Sequence, residues 1–190
     1  MKLFDRAYFE KWYRGRERVI THSELRRKVA FAVATAEYVL DRPLKSVLDV
    51  GCGEGAWFPH LEALRPKASY LGLDSSDYAV RRFGKRRNIR QVAFGELALD
   101  RDYDLVVCSD VLHYLDAGDI QRGIPEIARH AAGIAFLEFM TREDRVEGDL
   151  EGFIRRPFAW YKRLFNDSGL EQIAPSCWQP EPRPTRPARG

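Results

Sequence analysis

The chain alternates short runs of apolar residues with longer segments in which apolar residues recur every three or four positions. Apolar runs of four to eight residues predict buried strands, and the wider spacing predicts amphipathic helices. The alternation predicts a doubly wound α/β fold, with about six mostly parallel strands and helices on both faces of the sheet. The predicted strands are 46–50, 69–73, 89–94, 103–108, 133–139 and 170–178, and the predicted helices are about 21–40, 57–64, 78–86, 116–131 and 158–168.

Two of these helices carry further signals. Thr21 and Glu24 fit a capping box, in which a hydroxyl residue and a glutamate three positions later satisfy each other's backbone donors, so we expect the first long helix to begin there. Gly123 and Pro125 interrupt the segment 116–131, and proline lacks the amide hydrogen that a helix interior needs. This segment is therefore predicted to be kinked or to form two shorter helices.

The length of 190 residues favours a single domain with one sizeable core. We predict one domain over residues 1–178, made of an N-terminal helical cap (1–45) and an α/β core (46–178). Aromatic and charged residues interleave in the first twenty positions, so this segment is predicted either to pack on the core or to cover a site as a lid. Residues 179–190 hold four prolines and three arginines, which predicts a disordered or extended tail.

The composition is that of an ordinary globular protein, 45% hydrophobic and 31% charged, and the net charge of +3 is too small to indicate nucleic-acid binding. No apolar run approaches the roughly 20 residues of a membrane span, and the N-terminus lacks the apolar region of a secretion signal. Cys52, Cys108 and Cys177 are far apart and have no neighbours at metal-ligand spacing. We therefore expect a cytoplasmic protein without a disulfide framework or a metal site.

The most informative stretch is 47–57, where Gly51, Gly53 and Gly55 join the first predicted strand to a predicted helix. Glycine has no Cβ, so the backbone can turn sharply or approach a ligand closely. A helix that follows such a turn directs unpaired amide groups toward it. Taken alone, the motif is equally compatible with a nucleotide-type cofactor site and with a tight turn in an ordinary α/β core.

Polar side chains follow the other predicted strands at their carboxyl ends, where doubly wound sheets bind ligands. Asp74 ends the second strand, 23 residues after Gly51, and an acidic residue there can accept hydrogen bonds from both hydroxyls of a ribose. Glu96 follows the third strand, where the edge of a nucleobase would lie. Ser109 and Asp110 end the fourth strand and face the far end of a ligand laid across the sheet. These positions together favour a cofactor site.

Three segments, 47–55, 70–74 and 103–114, resemble the class I S-adenosylmethionine-dependent methyltransferases of the seven-strand, Rossmann-like type. The resemblance covers roughly residues 46–140. It implies that S-adenosylmethionine is the methyl donor and S-adenosylhomocysteine the product. The family would also place a β-hairpin after the last helix. Only one strand is evident there before the proline-rich tail, so we expect six strands rather than seven.

The resemblance also implies roles for particular residues. The turn from Gly51 to Gly55 would pack against the methionine part and the ribose, and Asp74 would hold the ribose. Asp49 and the Ser109–Asp110 region would hold the amino-acid end of the cofactor, and residues 95–97 would border the adenine. The complete set of expected cofactor-binding residues is Asp49, Gly51, Cys52, Gly53, Gly55, Asp74, Ser75, Gly95, Glu96, Leu97, Ser109 and Asp110.

A dinucleotide such as NAD is the competing cofactor. Gly51, Gly53 and Ala56 satisfy its glycine pattern with alanine in third place, and Asp74 lies at the right distance. Against this reading, Asp49 places a charge in a strand position that dinucleotide sites usually fill with an apolar residue. The chain also has no Tyr-x-x-x-Lys pair for hydride chemistry and little room for a catalytic domain.

Methyl transfer from a sulfonium needs mainly the alignment of a nucleophile, and a base only where the nucleophile must lose a proton. His113 and Glu138 are the candidate bases. The more common explanation of His113 is a hydrogen-bonded structural histidine, and that of Glu138 is a helix-cap or surface carboxylate. Aromatic rings attract a nearby cation such as the sulfonium of the methyl donor. Aromatic residues can therefore line the acceptor pocket, although they can also belong to the core. The candidates are Trp12, Tyr13, Tyr114 and Trp160.

The acceptor class is bounded mainly by absent motifs. No Asn/Asp-Pro-Pro-Tyr segment, typical of enzymes that act on exocyclic amines of bases or on glutamine, follows the fourth strand. We therefore expect methylation of oxygen or nitrogen in a small molecule, by a monomer or homodimer without nucleic-acid or membrane partners. One alternative is an RNA or protein methyltransferase that uses the basic stretch 81–90, which also suits a solvated helix end. Another is a cofactor-binding protein without catalysis.

Overall fold

The computed structural model describes residues 5–14, 20–145 and 149–181, with the backbone alone for Tyr13 and Arg14. The described residues form seven strands and six α-helices in alternation. The strands are β1 Ser46–Val50, β2 Ser69–Asp74, β3 Ile89–Gln91, β4 Tyr103–Ser109, β5 Ala131–Glu138, β6 Leu170–Ala174 and β7 Cys177–Pro180. The helices are α1 Arg6–Phe9, α2 His22–Leu40, α3 Phe58–Leu64, α4 Asp77–Arg87, α5 Ala117–His130 and α6 Phe158–Asp167.

The strands form one sheet in the order β3-β2-β1-β4-β5-β7-β6. Strands β1 to β5 pair with one another in parallel, whereas β7 is antiparallel to both β5 and β6. The strand order reverses between β1 and β4, and the crevice at such a switch point is where open α/β sheets bind ligands. The predicted α/β class is confirmed.

Helices cover both faces of the sheet, as predicted. The α2 and α3 helices pack with Val47 and Phe136 in one buried cluster, and α5 and α6 pack with Leu48 and Leu137 in the other. Neighbouring residues of β1 and of β5 therefore point to opposite faces, which is the two-residue period of a strand. Of the described residues, no helix has both the length and the apolar character needed to cross a membrane. The domain boundaries and the cytoplasmic location stay predictions.

The expectation of about six strands is wrong at the C-terminal end. The apolar run 170–178 is a hairpin rather than one strand, because Pro175 and Ser176 turn the chain and Ser176 adopts a left-handed φ of +55°. Strand β7 continues to Pro180, which pairs with Leu170, so the first two residues of the predicted tail belong to the sheet. The expected disorder of the tail concerns residues 182–190, which lie outside the described residues.

Of the two predicted outcomes for the segment 116–131, the division into two shorter helices is wrong, because α5 is one helix that contains both Gly123 and Pro125. A kink at this place stays a prediction. Gly123 has a packing role. A Cβ at this position would lie 2.3 Å from Cε1 of Phe94 and 2.7 Å from its carbonyl oxygen. Phe94 begins the 3₁₀ turn Phe94–Glu96 that follows β3. The glycine thus allows α5 to approach this turn closely. The capping box at Thr21 is present as predicted.

We expect Gly123→Ala to lower the free energy of unfolding by about 1–3 kcal/mol, as overpacked cores do. Helix propensity alone would make the alanine variant more stable, by about 1 kcal/mol. A loss of stability must therefore come from the contact with Phe94. Gly118→Ala is the matched control, since its Cβ would meet only the ends of the Arg122 and Asp116 side chains, at 3.2 and 3.3 Å. Urea unfolding measures both variants. Equal or higher stability of Gly123→Ala would contradict this packing role.

Candidate active site

The glycine turn lies at the switch point between β1 and β4. Gly51, Gly53 and Gly55 all have left-handed φ angles, of +70°, +54° and +72°, which side chains rarely tolerate. A Cβ on Gly51 would lie 2.4 Å from Cγ2 of Val111, in the segment after β4. Helix α3 begins at Phe58, after further turns, and not at residue 57 as predicted. The turn therefore presents bare backbone at the edge of the sheet.

Asp74 fixes the glycine turn from the neighbouring strand. One carboxylate oxygen accepts a hydrogen bond of 2.6 Å from the amide of Gly53, and the other accepts one of 2.8 Å from the amide of Ser76. Burial raises the pKa of Asp74, and the two amide donors act in the opposite direction. Each oxygen keeps a further lone pair that a ligand hydroxyl can use. Ser75, its neighbour, is exposed and accepts a bond of 3.2 Å from Gln91 through its carbonyl.

Arg87 holds the same turn from helix α4. Its guanidinium donates hydrogen bonds to the carbonyl oxygens of Glu54 at 2.5 Å and of Gly55 at 3.2 Å. The sequence places Arg87 in the basic stretch assigned to a solvated helix end or an RNA patch, and no spacing rule connects it to a turn more than thirty residues earlier. It is a supporting residue that sequence reasoning missed.

Asp49 is buried beneath the turn. Its side chain accepts a hydrogen bond of 2.8 Å from the hydroxyl of Tyr70 in β2. Burial raises the pKa of Asp49 to about 7. Cys52 also faces the interior, because its sulfur lies 2.7 Å from the place that a Cβ on Gly72 would occupy. Cys52 therefore lines the turn through its backbone. Tyr70 has no signal in the sequence beyond its place in a strand.

Lys28, Ser109 and Glu138 meet at the carboxyl ends of β4 and β5. The Lys28 ammonium, on α2, and the Ser109 hydroxyl each donate a hydrogen bond of 2.5 Å to the same Glu138 oxygen. Side chains of Lys28 and Glu138 are 18% and 26% exposed, so this is a largely enclosed ion pair. The sequence indicates Ser109 and Glu138 as strand-end residues, but it shows Lys28 only as one residue of an amphipathic helix.

Asp110 lies beside this ion pair in a left-handed conformation with φ +60°. Such a backbone costs a non-glycine residue on the order of 1–3 kcal/mol and is concentrated at functional positions. The Asp110 amide donates a hydrogen bond of 3.0 Å to the carbonyl of Glu138. Burial and the Glu138 carboxylate raise the pKa of Asp110, while the Lys28 ammonium acts to lower it.

Helix α1 covers this edge of the sheet. Phe9 is 2% exposed and stacks on Tyr78 of α4, with 5.7 Å between ring centroids. Tyr8 forms a hydrogen bond with the side chain of Asp149, and burial together with Tyr114, Asp149 and Asp110 raises its pKa. The N-terminal segment thus packs against residues on both sides of the switch point, and its role as a lid over the site stays a prediction.

His113 has a structural environment. Its side chain is buried, and its Nδ1 accepts a hydrogen bond of 3.2 Å from the amide of Met140. The His113 carbonyl accepts one of 2.8 Å from the amide of Ile154. The ring also packs against Phe153, at 5.1 Å between centroids. These contacts join the segments that follow β4 and β5, which the sequence could not show. The role of His113 as a base stays a prediction.

The remaining predicted residues lie in different surroundings. Gly95 contacts α5 through a bond of 3.3 Å from Arg122, and Glu96 is exposed. Leu97 packs against the core. Tyr114 donates a hydrogen bond of 3.0 Å to the carbonyl of Asp149, beneath α1. The Trp12 ring lies 4.3 Å from the Lys11 ammonium, and the Trp160 ring lies 5.1 Å from the Arg156 guanidinium, both measured to the ring centroid. The Tyr13 side chain lies outside the described residues.

The chain matches known methyltransferases in sequence. Residues 48–133 fit the family model described as "Methyltransferase domain". The malonyl-[acyl-carrier protein] O-methyltransferase of Bacillus cytotoxicus is 26% identical over 141 residues, which cover 67% of this chain and 49% of that protein. The ubiquinone biosynthesis O-methyltransferase of Rickettsia akari is 27% identical over 150 residues, 72% of this chain and 59% of that protein. The chain therefore spans about half the length of the curated relatives it matches.

Solved structures share the fold over most of both chains. SAM-bound CalS10, an amino pentose methyltransferase from Micromonospora echinaspora, gives a TM-score of 0.68 at 16% identity, over 91% of this chain and 92% of that chain. The magnesium protoporphyrin IX methyltransferase of Synechocystis PCC 6803 gives 0.66 at 20% identity, over 90% and 88%. The family-model match over residues 48–133 and the shared fold both confirm the predicted resemblance to the class I S-adenosylmethionine-dependent methyltransferases.

We expect Asp49→Asn to remove part of the pH dependence of stability. The folded-state pKa of Asp49, about 7, exceeds the usual value of about 3.9. The folded chain therefore binds more protons than the unfolded chain between these values, and wild-type stability falls as pH rises through this window. Asparagine does not titrate. The decrease in the free energy of unfolding between pH 5 and 8 should therefore be smaller in Asp49→Asn than in wild type, by on the order of 2 kcal/mol.

Urea unfolding at several pH values measures this effect. Asp77→Asn is the control, because Asp77 lies on α4 with a side chain that is 56% exposed, and its pH profile should follow that of wild type. An equal decrease in the free energy of unfolding with rising pH in wild type and in Asp49→Asn would contradict the conclusion that the buried Asp49 carboxyl is still protonated near neutral pH.

Proposed function

We propose that this chain transfers a methyl group from S-adenosylmethionine to nitrogen or oxygen of a small-molecule acceptor. The observation that carries the proposal is the glycine turn at the β1–β4 switch point, with its three left-handed glycines. The carboxylates of Asp49, Asp74 and Asp110 lie at the ends of the three strands that meet there. A monomer or homodimer is sufficient for this arrangement.

The residues of this edge suit the chemical groups of the cofactor. When bound, S-adenosylmethionine supplies a methyl group on a sulfonium, together with an ammonium and a ribose diol. Asp49 and Asp110 have raised pKa values, and a nearby cation favours the ionised form of such groups. Asp74 is already oriented by two amides and keeps lone pairs for the diol. Glycine at position 51 leaves the backbone open to close approach.

The acceptor side is formed by the residues around Asp110. Lys28 holds the Glu138 carboxylate as an ion pair, and Asp110 has a raised pKa beside it. A carboxylate within reach of the acceptor can take the proton of its hydroxyl or amine. Glu138 is the candidate base at this place, and we favour it over His113, whose Nδ1 already accepts a backbone hydrogen bond. The hydroxyls of Tyr8 and Tyr114, held at Asp149, would enclose the acceptor.

Several similar proteins support a small acceptor. CalS10 is described as an amino pentose methyltransferase and KedS8 as a sugar N-methyltransferase. An RNA or protein acceptor would use the basic stretch 81–90, but Arg87 is engaged with the glycine turn and Arg81 pairs with Asp77 at 2.8 Å. Both contacts favour a structural role for this stretch.

Cofactor binding tests the first half of the proposal. We expect wild type to bind S-adenosylhomocysteine in isothermal titration calorimetry and to show no binding of NAD. In Asp74→Asn, an amide NH₂ group, which cannot accept a hydrogen bond, replaces one of the two accepting oxygens. The affinity for S-adenosylhomocysteine should therefore fall about 30-fold, equivalent to about 2 kcal/mol. Asp77→Asn, on the exposed side of α4, should bind as wild type does. Unchanged affinity in Asp74→Asn, or tight binding of NAD, would overturn the cofactor assignment.

Methyl transfer tests the second half. With methyl-labelled S-adenosylmethionine, we expect label to enter a member of a panel of amino sugars, phenols and catechols, and to be absent from transfer RNA and added protein. Glu138→Gln should slow transfer by about 10²-fold or more while still binding S-adenosylhomocysteine. Label recovered in RNA or protein would favour the alternative acceptors. No transfer to any acceptor, despite cofactor binding, would favour a protein that binds the cofactor without catalysis.

A further inference from the structure

The solvent-facing side of helix α2 is apolar over its central turns. Every exposed position between residues 27 and 41 of this fully described segment is uncharged, and these positions are Ala30, Phe31, Ala34 and Tyr38. Phe31 is 41% exposed, and Tyr38, at 89%, is the most exposed of the large apolar side chains that the structure describes. A surface helix normally places charged and polar residues on this side. The outer side of α2 is therefore unusual for a surface in contact with water.

The charged residues of the same turns are directed elsewhere. Lys28 pairs with Glu138 at the ends of the strands, and Glu37 pairs with Arg65 beside α3. The inner side of α2 is buried against the sheet through residues such as Val29. The helix is thus apolar on two opposite sides, and the described chain covers one of them. Helices that are apolar on all sides are normally buried on all sides.

Opposite charges mark the two ends of this apolar stretch. Arg27 precedes it and Asp41 follows it, and neither side chain forms an ion pair or a hydrogen bond with another described residue. Asp41 is the C-cap of α2, where the helix dipole disfavours an acidic side chain and favours a nearby cation. We call the following set the α2 face: Arg27, Ala30, Phe31, Ala34, Tyr38 and Asp41.

The α2 face is complementary to itself when it is reversed. Steps of four and three residues place Arg27, Phe31, Ala34, Tyr38 and Asp41 along one stripe of the helix, which is the spacing that packs helices along a shared seam. In an antiparallel pair with Ala34 opposite Ala34, each Arg27 lies opposite Asp41 of the other copy. Each Tyr38 then lies opposite the small Ala30. A parallel pair would instead place like charges together.

We propose that the α2 face is the interface of a homodimer in which two copies of α2 pack antiparallel about a two-fold axis at Ala34. A two-fold axis requires one patch that matches itself, and the order of basic, apolar and acidic residues in the α2 face does so. One helix pair is a small interface, so the dimer is weak and reversible. Lys28 faces away from it toward Glu138, and each copy keeps its own candidate active site.

Sedimentation equilibrium tests the proposal on the full chain over a range of concentrations. Wild type should show a reversible monomer–dimer equilibrium, and Tyr38→Ser should be monomeric. Ile173→Ser is the matched control, because Ile173 is an exposed apolar residue of β6 outside the α2 face, and it should dimerise as wild type does. Both variants should bind S-adenosylhomocysteine as wild type does, which shows that they are folded. A monomeric wild type, or a dimer that persists in Tyr38→Ser, would overturn the proposal.

Exchange of the terminal charges tests the antiparallel arrangement. Arg27→Asp and Asp41→Arg should each weaken the dimer by about tenfold or more, since each change places like charges opposite one another. The double variant Arg27→Asp/Asp41→Arg restores opposite charges across the two-fold axis and should recover the affinity of wild type. A double variant that is weaker than either single variant would contradict this arrangement.

Disulfide trapping locates the two-fold axis. The native cysteines are all buried, so Ala34→Cys provides the accessible thiol, and mild oxidation should convert this variant to a covalent dimer. Ala63→Cys is the control, because Ala63 is an exposed alanine of α3, and it should remain largely uncrosslinked. Equal crosslinking of the two variants, or none in Ala34→Cys, would overturn the position of the axis.

Discussion

The candidate site depends on the attachment of the glycine turn to β2. The amides of Gly51 and Cys52 donate to the carbonyl of Leu73, at 2.7 and 3.1 Å, and the amide of Gly53 donates to Asp74. Because these bonds come from consecutive residues, they set the path of the backbone where it leaves β1. The left-handed glycines allow this backbone path, and the hydrogen bonds to β2 select it over other paths. The same carboxylate that would hold the cofactor therefore also builds the surface on which it rests.

Much of this arrangement follows from residues that are close in sequence. The apolar runs predicted the parallel strands, since a strand buried on both faces is a continuous apolar segment. The carboxyl ends of those strands located Asp74 and Asp110, whereas the role expected of Asp49 came from the family resemblance. The supporting residues were not predictable. Arg87 and Lys28 reach the site from helices, and nothing in an amphipathic pattern distinguishes a charged residue that turns inward from one that faces solvent.

Two predictions about element boundaries failed for a shared reason. The hairpin at Ser176 and the unbroken α5 both depend on contacts with distant segments, which local propensity does not include. Strand β7 is positioned by its pairing with β5. Glycine is needed at position 123 because a side chain there would collide with Phe94. Glycine and proline are read locally as interruptions, but a helix tolerates them where packing compensates.

The antiparallel strand β7 has a consequence for how the chain folds. Among the strands that the structure describes, β7, which begins at Cys177, pairs with the open side of β5, and β6 joins the sheet by pairing with β7. During synthesis on the ribosome, β1 to β5 can therefore assemble while one hydrogen-bonding edge, at β5, still lacks its neighbour. Exposed edges of this kind invite pairing with other chains. Completion of the hairpin thus covers the long edge of β5 and moves the open edge of the sheet to β6, a strand of only five residues. A short edge strand offers fewer unpaired backbone groups to other chains.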